Sequence, residues 1–388
     1  MAASAVSRLT LSQFRCYEQA RLTVPPGPVV LTGPNGAGKT NLLEALSLLA
    51  PGRGLRRARL SQMARLGAPG ATGWAVAATV ETPFGPVEIG TGQDGVSSER
   101  RLLRIDGQSV RGQARLAAHV AVVWLTPQMD RLFLEGPSGR RRFLDRLAFG
   151  FDPAHAGRLS RYESVLRERG RLLRDGSRDA AWLAALEDQM ATTGIAVACA
   201  RRDMVERLRI GCAQALGPFP RASLALDGVV DRWLAERPAL VAEDLFRAAL
   251  AAARGQDSGH GGADGASAAV GPHRSDLVVH WQGDDDRRIP AELCSTGEQK
   301  ALLIAIVLAN TRLMAVERGH LPLLLLDEVA AHLDPLRRRA LFAELLDLGA
   351  QAWLTGTEDT VFSDLRGVAA FWRVEAARLR QDEQDFTQ

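Results

Sequence analysis

Apolar residues along this chain change their spacing from one region to the next. Positions 6–11, 20–24 and 29–32 carry the alternating or β-rich pattern of strands, and the last of them runs straight into a glycine-rich loop. From 39 to 49 the period lengthens, with Leu42, Leu43, Leu46 and Leu49 on one helical face, and Pro51 with Gly52 ends the segment. Short β-like stretches follow at 75–80, 87–91, 102–105 and 121–126. They predict a small antiparallel sheet beside the loop.

Past Ser138 the helical period dominates. Leu159, Tyr162, Val165, Leu166, Leu172 and Leu173 mark one helix up to Gly176; Trp182, Leu183, Leu186, Met190, Met204, Val205 and Leu208 mark a longer one. An antiparallel helical arm is the simplest reading. A further helix at 240–253 leads into 255–269, where Gly, Ser, Asp and Ala leave no packing pattern and predict a mobile loop. After it come a strand at 277–281, an apolar helix at 301–313, a buried strand at 323–326 and another strand at 351–355. The pattern predicts an α/β fold with mixed sheets around the glycine-rich loop and a short helical insertion. The expected boundaries are 1–135, 136–270 for the arm and its mobile loop, and 271–388.

At 388 residues the chain can bury a sizeable core or two. Its 46% hydrophobic and 24% charged content is that of an ordinary globular protein. With no uninterrupted apolar run of membrane-spanning length and no N-terminal apolar segment with a cleavage site, a cytoplasmic location is expected. Cys16, Cys199, Cys212 and Cys294 lack the spacing of a zinc site or a disulfide framework. The net charge of +3 does not by itself argue for nucleic acid. Of the 48 basic residues only Lys39 and Lys300 are lysine, and each abuts a motif with nucleotide chemistry.

The first motif is the run Gly33, Pro34, Asn35, Gly36, Ala37, Gly38, Lys39, Thr40, a complete GxxxxGKT phosphate-binding loop, followed by Asn41. Its glycines let backbone N–H groups approach phosphates, Lys39 neutralises the β and γ oxygens, and the Thr40 hydroxyl can ligate Mg²⁺. The second is the buried strand 323–326 ending in Asp327 and Glu328. Asp327 suits the Mg²⁺ ion and Glu328 the general base that polarises attacking water; the alternative is a pair of acids that caps the next helix. The third runs from Ser295 through Gly297, Glu298 and Gln299 to Lys300. It can present a hydroxyl and a helix N-terminus to an anion, or simply form a helix cap.

These motifs, in this order and with Asp334 in the run 331–334 after the acid pair, resemble the ABC-type ATPases. Along nearly its whole length the chain is similar to the RecF family of bacterial DNA replication and repair proteins, through residues 9–17, 40–45, 138–145, 162–166, 271–277 and 295–301. The resemblance implies an ABC-type ATPase head with an inserted lobe. It implies ATP bound between two copies, with Ser295, Gly297, Gln299 and Asp334 of one facing the phosphates held by the other. It also implies weak, DNA-dependent hydrolysis, partners such as RecR and RecO, and a role at single-strand gaps upstream of RecA and SOS induction. The acid motif continues Val329, Ala330, Ala331, His332, nearer the general ATPase form than the family's usual one. No histidine occupies the switch position within Thr355, Gly356, Thr357, and either threonine can substitute. Gln128 is a candidate Mg²⁺ and γ-phosphate sensor or a plain turn residue.

Arginine clusters supply candidate DNA contacts: Arg53, Arg56, Arg57 and Arg59, then Arg140 and Arg141 with Arg142, and Arg337 to Arg339. The competing reading for each is a solvated charged face. Two relatives of the class are disfavoured. A transporter motor would carry its signature soon after the phosphate loop, and a chromosome-organising ATPase needs far longer heptad segments than this arm provides. A third rival is a scaffold that binds ATP as a structural switch and hardly turns it over.

Overall fold

The computed structural model describes residues 2–67, 73–95, 100–176, 179–214, 217–259, 268–283 and 287–382. The chain divides into two compact units. The first comprises 1–130, 215–219 and 295–388, and the second 131–214 and 220–294.

The first unit holds two six-stranded sheets. One is ordered Arg378–Gln381, Ala370–Glu375, Val29–Thr32, Ala352–Gly356, Leu323–Leu326, Val122–Leu125, and all its pairs are parallel except the edge hairpin. Three of its inner strands, Val29–Thr32, Ala352–Gly356 and Leu323–Leu326, are short, mostly apolar runs buried at every position, as expected where both faces of a parallel sheet are covered. The other sheet is antiparallel, built on Ala5–Phe14, Tyr17–Thr23, Trp74–Thr82 and Gly85–Gln93. Alternate residues such as Leu9, Leu11, Val76 and Ala78 turn inward to a core shared with the helix Lys39–Ser47. Gln351 ties the sheets together, accepting from the Val6 N–H at 2.7 Å and donating to the Val6 carbonyl at 3.0 Å. The segment 121–126 departs from expectation. It joins the parallel sheet as an edge strand, Val122 opposite Leu323, with Val123 and Leu125 buried and Val122 and Trp124 half-buried.

The expected apolar helix at 301–313 extends over Thr296–Arg318 and lies 83% buried across its most apolar window. It is long and apolar enough to cross a membrane by length and composition alone, and here it serves as a core helix.

The second unit is more than a helical arm. The helices His155–Arg174 and Ala180–Cys212 pack together, accompanied by Pro137–Phe151, Val229–Glu236, Ala239–Ala252 and Arg254–Gly259. An antiparallel sheet of Arg221–Asp227, Asp276–Gln282 and Arg288–Pro290 completes it. Seven consecutive pairs from Arg221 opposite Gln282 to Asp227 opposite Asp276 hold 271–294 in this unit, so the expected boundary at 270 moves to 294. The loop expected at 255–269 is also corrected in part: 254–259 are helical, whereas 260–267 lie outside the described residues. Asp257 is buried, pairs with Arg169 at 2.8 Å and accepts from the Ala269 N–H. Arg169, itself fully buried, also meets Glu187 and the Leu250 carbonyl.

His273 links the same core to the 268–275 segment. Its Nδ1 bonds the Tyr162 hydroxyl at 2.7 Å and its Nε2 the Ala268 carbonyl at 3.1 Å, an arrangement that fits a neutral ring donating through Nε2. Burial, joined by the charges of Arg274, Arg141 and Arg201, lowers its pKa from 6.5 to about 4. The unfolded chain therefore takes up the proton first as pH falls. Stability contributed here is complete above about pH 6.5 and declines toward pH 4, by an amount on the order of 3 kcal/mol. His273→Gln, which keeps hydrogen-bonding capacity without the titration, is expected to flatten urea-unfolding stability over that window. An unchanged slope rules out His273 as its source.

Candidate nucleotide-binding site

Residues 33–38 connect the buried strand Val29–Thr32 to the helix Lys39–Ser47. At Gly33, φ is 143° and a Cβ would fall 2.1 Å from the Val374 carbonyl oxygen, so the loop closes against the neighbouring strand only with glycine there. Gly36, at φ 79°, faces open space instead. The helix has no side-chain cap and no acid in its first turn, which leaves its positive end to an anion. Lys39 is 5% exposed and folds over the loop, donating to the carbonyls of Gly33 at 2.6 Å and Pro34 at 2.9 Å. Burial lowers its pKa, opposed by the carboxylates of Glu328 and Asp327.

Those carboxylates end the strand Leu323–Leu326. The Thr40 hydroxyl reaches both Asp327 oxygens, at 3.0 and 3.1 Å, and the Thr355 hydroxyl donates to Oδ1 at 2.7 Å. Thr355 also accepts the Glu328 N–H at 2.9 Å. Of the two threonines at the expected switch position, Thr355 is the one bonded to Asp327 and to the Glu328 N–H. Burial pushes the Asp327 pKa up, and hydrogen bonds from Thr355 and Thr40 oppose it. Glu328 adopts a left-handed backbone, φ 53° and ψ 23°, and its side chain does not cap the short turn Val329–His332. It is therefore not the helix-capping acid of the alternative reading. A hydroxyl and a carboxylate converging beside a phosphate loop suit a hard, oxygen-seeking divalent ion, so Thr40 and Asp327 fit Mg²⁺. Gln128 lies exposed in the turn Pro127–Arg131, which follows the strand paired with Leu323–Leu326.

Ser295 is exposed and caps the helix Thr296–Arg318. Its hydroxyl and N–H both contact Glu298, at 2.8 and 2.7 Å, in a closed capping box. These bonds, joined by the Arg337 charge, hold Glu298 below the usual carboxylate range. A Cβ on Gly297 would meet nothing within 4 Å. Asp334 is likewise exposed and caps Pro335–Leu348 through the Arg337 N–H at 2.9 Å. Gln299 is a correction: at 2% exposure it packs beneath the helix start instead of facing a nucleotide.

The arginines divide sharply. Arg56 is taken up by Asn41 at 2.7 Å and by buried Glu44 at 3.2 Å, which Arg15 also grips through two bonds of 2.7 Å. Arg53, Arg57 and Arg59 are exposed on the same stretch. Arg140 is corrected as a DNA contact. Arg140 is buried, doubly bonded to Asp276 at 2.8 and 2.7 Å and capped onto the Glu135 carbonyl, while Arg141 donates to the Ser275 carbonyl. The Arg140 guanidinium, so engaged, holds its unit together and has no fork left for a phosphate.

Sequence reasoning missed two features of the site. Arg15 and Glu44 clamp the loop helix; both lie in stretches that carry the family resemblance, but nothing local marks them as partners. The turn at Ala376 and Ala377, with φ of 45° and 60°, covers the phosphate loop through a 3.1 Å bond from the Ala377 N–H to the Ala37 carbonyl. Two alanines in a tight hairpin give none of the Asn-Gly signal that such turns usually carry.

Comparison with known proteins follows the same lines. The profile described as RecF/RecN/SMC N terminal domain matches residues 5–375. The DNA replication and repair protein RecF of Mesorhizobium japonicum is 48% identical over 373 residues, covering 95% of this chain and 96% of its own. That of Brucella suis is 46% identical over 382 residues, covering 96% and 95%. Among solved structures, the recombination mediator protein RecF-ATPrS of the RecFOR pathway superposes with a TM-score of 0.84 at 22% identity, over 98% of each chain. An Smc head domain from Pyrococcus furiosus reaches 0.55 at 15% identity over 98% of this chain and 96% of that one. At such identities these two speak to fold.

Two substitutions check the site as described. Arg140→Ala is expected to cost about 2 to 3 kcal/mol in urea unfolding, because it strands Asp276, while DNA affinity per folded molecule is unchanged; a stable variant with weakened DNA binding would restore the withdrawn role. Thr355→Val keeps the shape but leaves the Glu328 N–H unpaired. A loss of about 1 to 3 kcal/mol is expected, with Thr355→Ser close to the native chain. Equal stabilities for the two variants would mean that the hydroxyl does not bridge the acids.

Proposed function

Since this chain belongs to the RecF family of the RecF/RecN/SMC proteins, we propose that it is an ATP-gated DNA clamp of recombinational repair and replication restart. Two copies sandwich ATP, the closed dimer holds duplex DNA near single-strand gaps, and slow hydrolysis releases it. The observation that carries this reading is the division of labour within one unit. Lys39, Thr40, Asp327, Glu328 and Thr355 converge on the phosphate loop, while Ser295 stays exposed and bonded only within its own cap as described above. A signature so placed has work to do on another copy.

In this scheme the backbone of 33–40 and Asn41 cradle the phosphates, and Lys39 offsets their charge. Magnesium supplies further charge neutralisation, held by Thr40 and Asp327 with Gln128 as a third candidate. Glu328 takes the proton of the attacking water. Ser295 and Gly297 present the partner copy's helix end to the γ-phosphate, and Asp334 sits at the same edge. Exposed Arg53, Arg57 and Arg59 bind DNA phosphates without reading sequence, which makes affinity steeply salt dependent. RecR and RecO are the proposed partners, ahead of RecA loading and SOS induction in the cytoplasm.

Light scattering with and without ATP tests the central step. The native chain is expected to double its mass on ATP addition, Ser295→Arg to remain single while still binding nucleotide, and Glu328→Gln to dimerise and hold DNA longer with hydrolysis slowed about a hundredfold or more. A Ser295→Arg chain that pairs normally contradicts the sandwich. Native turnover no faster than that of Glu328→Gln supports the scaffold.

A further inference from the structure

The second lysine is not at the phosphate loop but on the signature helix, five residues past Ser295. Its side chain is 6% exposed, and its ammonium meets Asp130 at 3.3 Å. Asp130 belongs to the turn Pro127–Arg131, two residues after Gln128. That turn leaves the strand Val122–Leu125, whose last carbonyl accepts the Asp327 N–H at 2.9 Å. One ion pair, its ammonium buried and its carboxylate 32% exposed, therefore joins the segment that abuts Asp327 to the helix that carries Ser295.

Burying an ammonium is expensive, and an apolar pair of similar size would hold two segments together as well or better. The choice of cation is informative too. Elsewhere in this unit Arg15 grips Glu44 through two bonds, a fork that fixes one relative geometry. An ammonium is a point charge on a flexible stem, and its attraction to a carboxylate survives sliding and rotation. At about 1.5 Å per residue, Lys300 lies some 7 to 8 Å up the helix from Ser295, close enough to its end to steer it.

We propose that the Lys300–Asp130 pair is a positioning contact that passes the state of the nucleotide site, through the Gln128 turn, to the orientation of Ser295. It rests on the reading that Ser295 serves a second copy, and it deepens that reading: a chain offers its signature to a partner only once its own loop is filled. Ordered loading of two ATP sites follows from the linkage.

Hydrogen exchange at residues 295–299, followed on ATP addition with the chain dilute enough to remain single, tests the contact directly. In the native chain ATP is expected to change exchange across this segment. Lys300→Met, which keeps the stem and removes the charge, loses that response while ATP affinity stays within about twofold, and Asp130→Asn does the same. Exchanging the charges, Lys300→Asp with Asp130→Lys, restores it. A native chain without the response, a Lys300→Met chain that keeps it, or ATP affinity falling in step with it overturns the proposal. Failure of the native chain to dimerise with ATP, with the exchange response intact, counts against the clamp and not against this contact.

Discussion

Asp327 accepts hydroxyl hydrogens from Thr40 and Thr355, and through that one carboxylate a helix start and two strand ends become a site. Thr40 opens the helix after the phosphate loop, Thr355 closes the neighbouring parallel strand, and Asp327 ends the strand between Val122–Leu125 and Ala352–Gly356. Thr40 and Asp327 are separated by 287 positions in sequence. Two neutral donors let a buried acid keep its place, and the same oxygens would serve a divalent ion. The left-handed backbone of Glu328 depends on this joint as well, since its N–H has Thr355 as partner.

Part of the arginine-rich composition serves the interior of the second unit. Arg140, Arg169 and Arg201 are buried, and each meets a carboxylate and at least one backbone carbonyl. Guanidinium tolerates burial because its planar fork satisfies several acceptors at once. Such pairs add little net stability over apolar replacements but are costly to break, so they act as registration points among the helices of the second unit. Of the arginines near the loop helix, Arg53, Arg57 and Arg59 stay exposed.

Much of this was legible in the chain. Uninterrupted runs such as Val29 to Leu31 and Leu323 to Leu326 announce strands covered on both faces, and the loop at 33–40 and the acids at 327 and 328 are local patterns whose chemistry follows from residue type. The three-stranded sheet of the second unit was only partly visible: Asp276–Gln282 was expected, but its partner Arg221–Asp227 is short, half polar and stabilised by cross-strand pairing, which no local pattern records. The segment 121–126 was seen as a strand and assigned to the wrong sheet for the same reason.

What the sequence determined by itself is which groups do chemistry, because phosphate cradling, proton transfer and helix capping demand particular residues at short spacing. Which arginines are available, which threonine faces the acids and which lysine ties the signature helix to the Gln128 turn were decided only by tertiary structure. Each of those depends on a partner far along the chain, and a side chain's role is set by the charge and burial that such a partner brings.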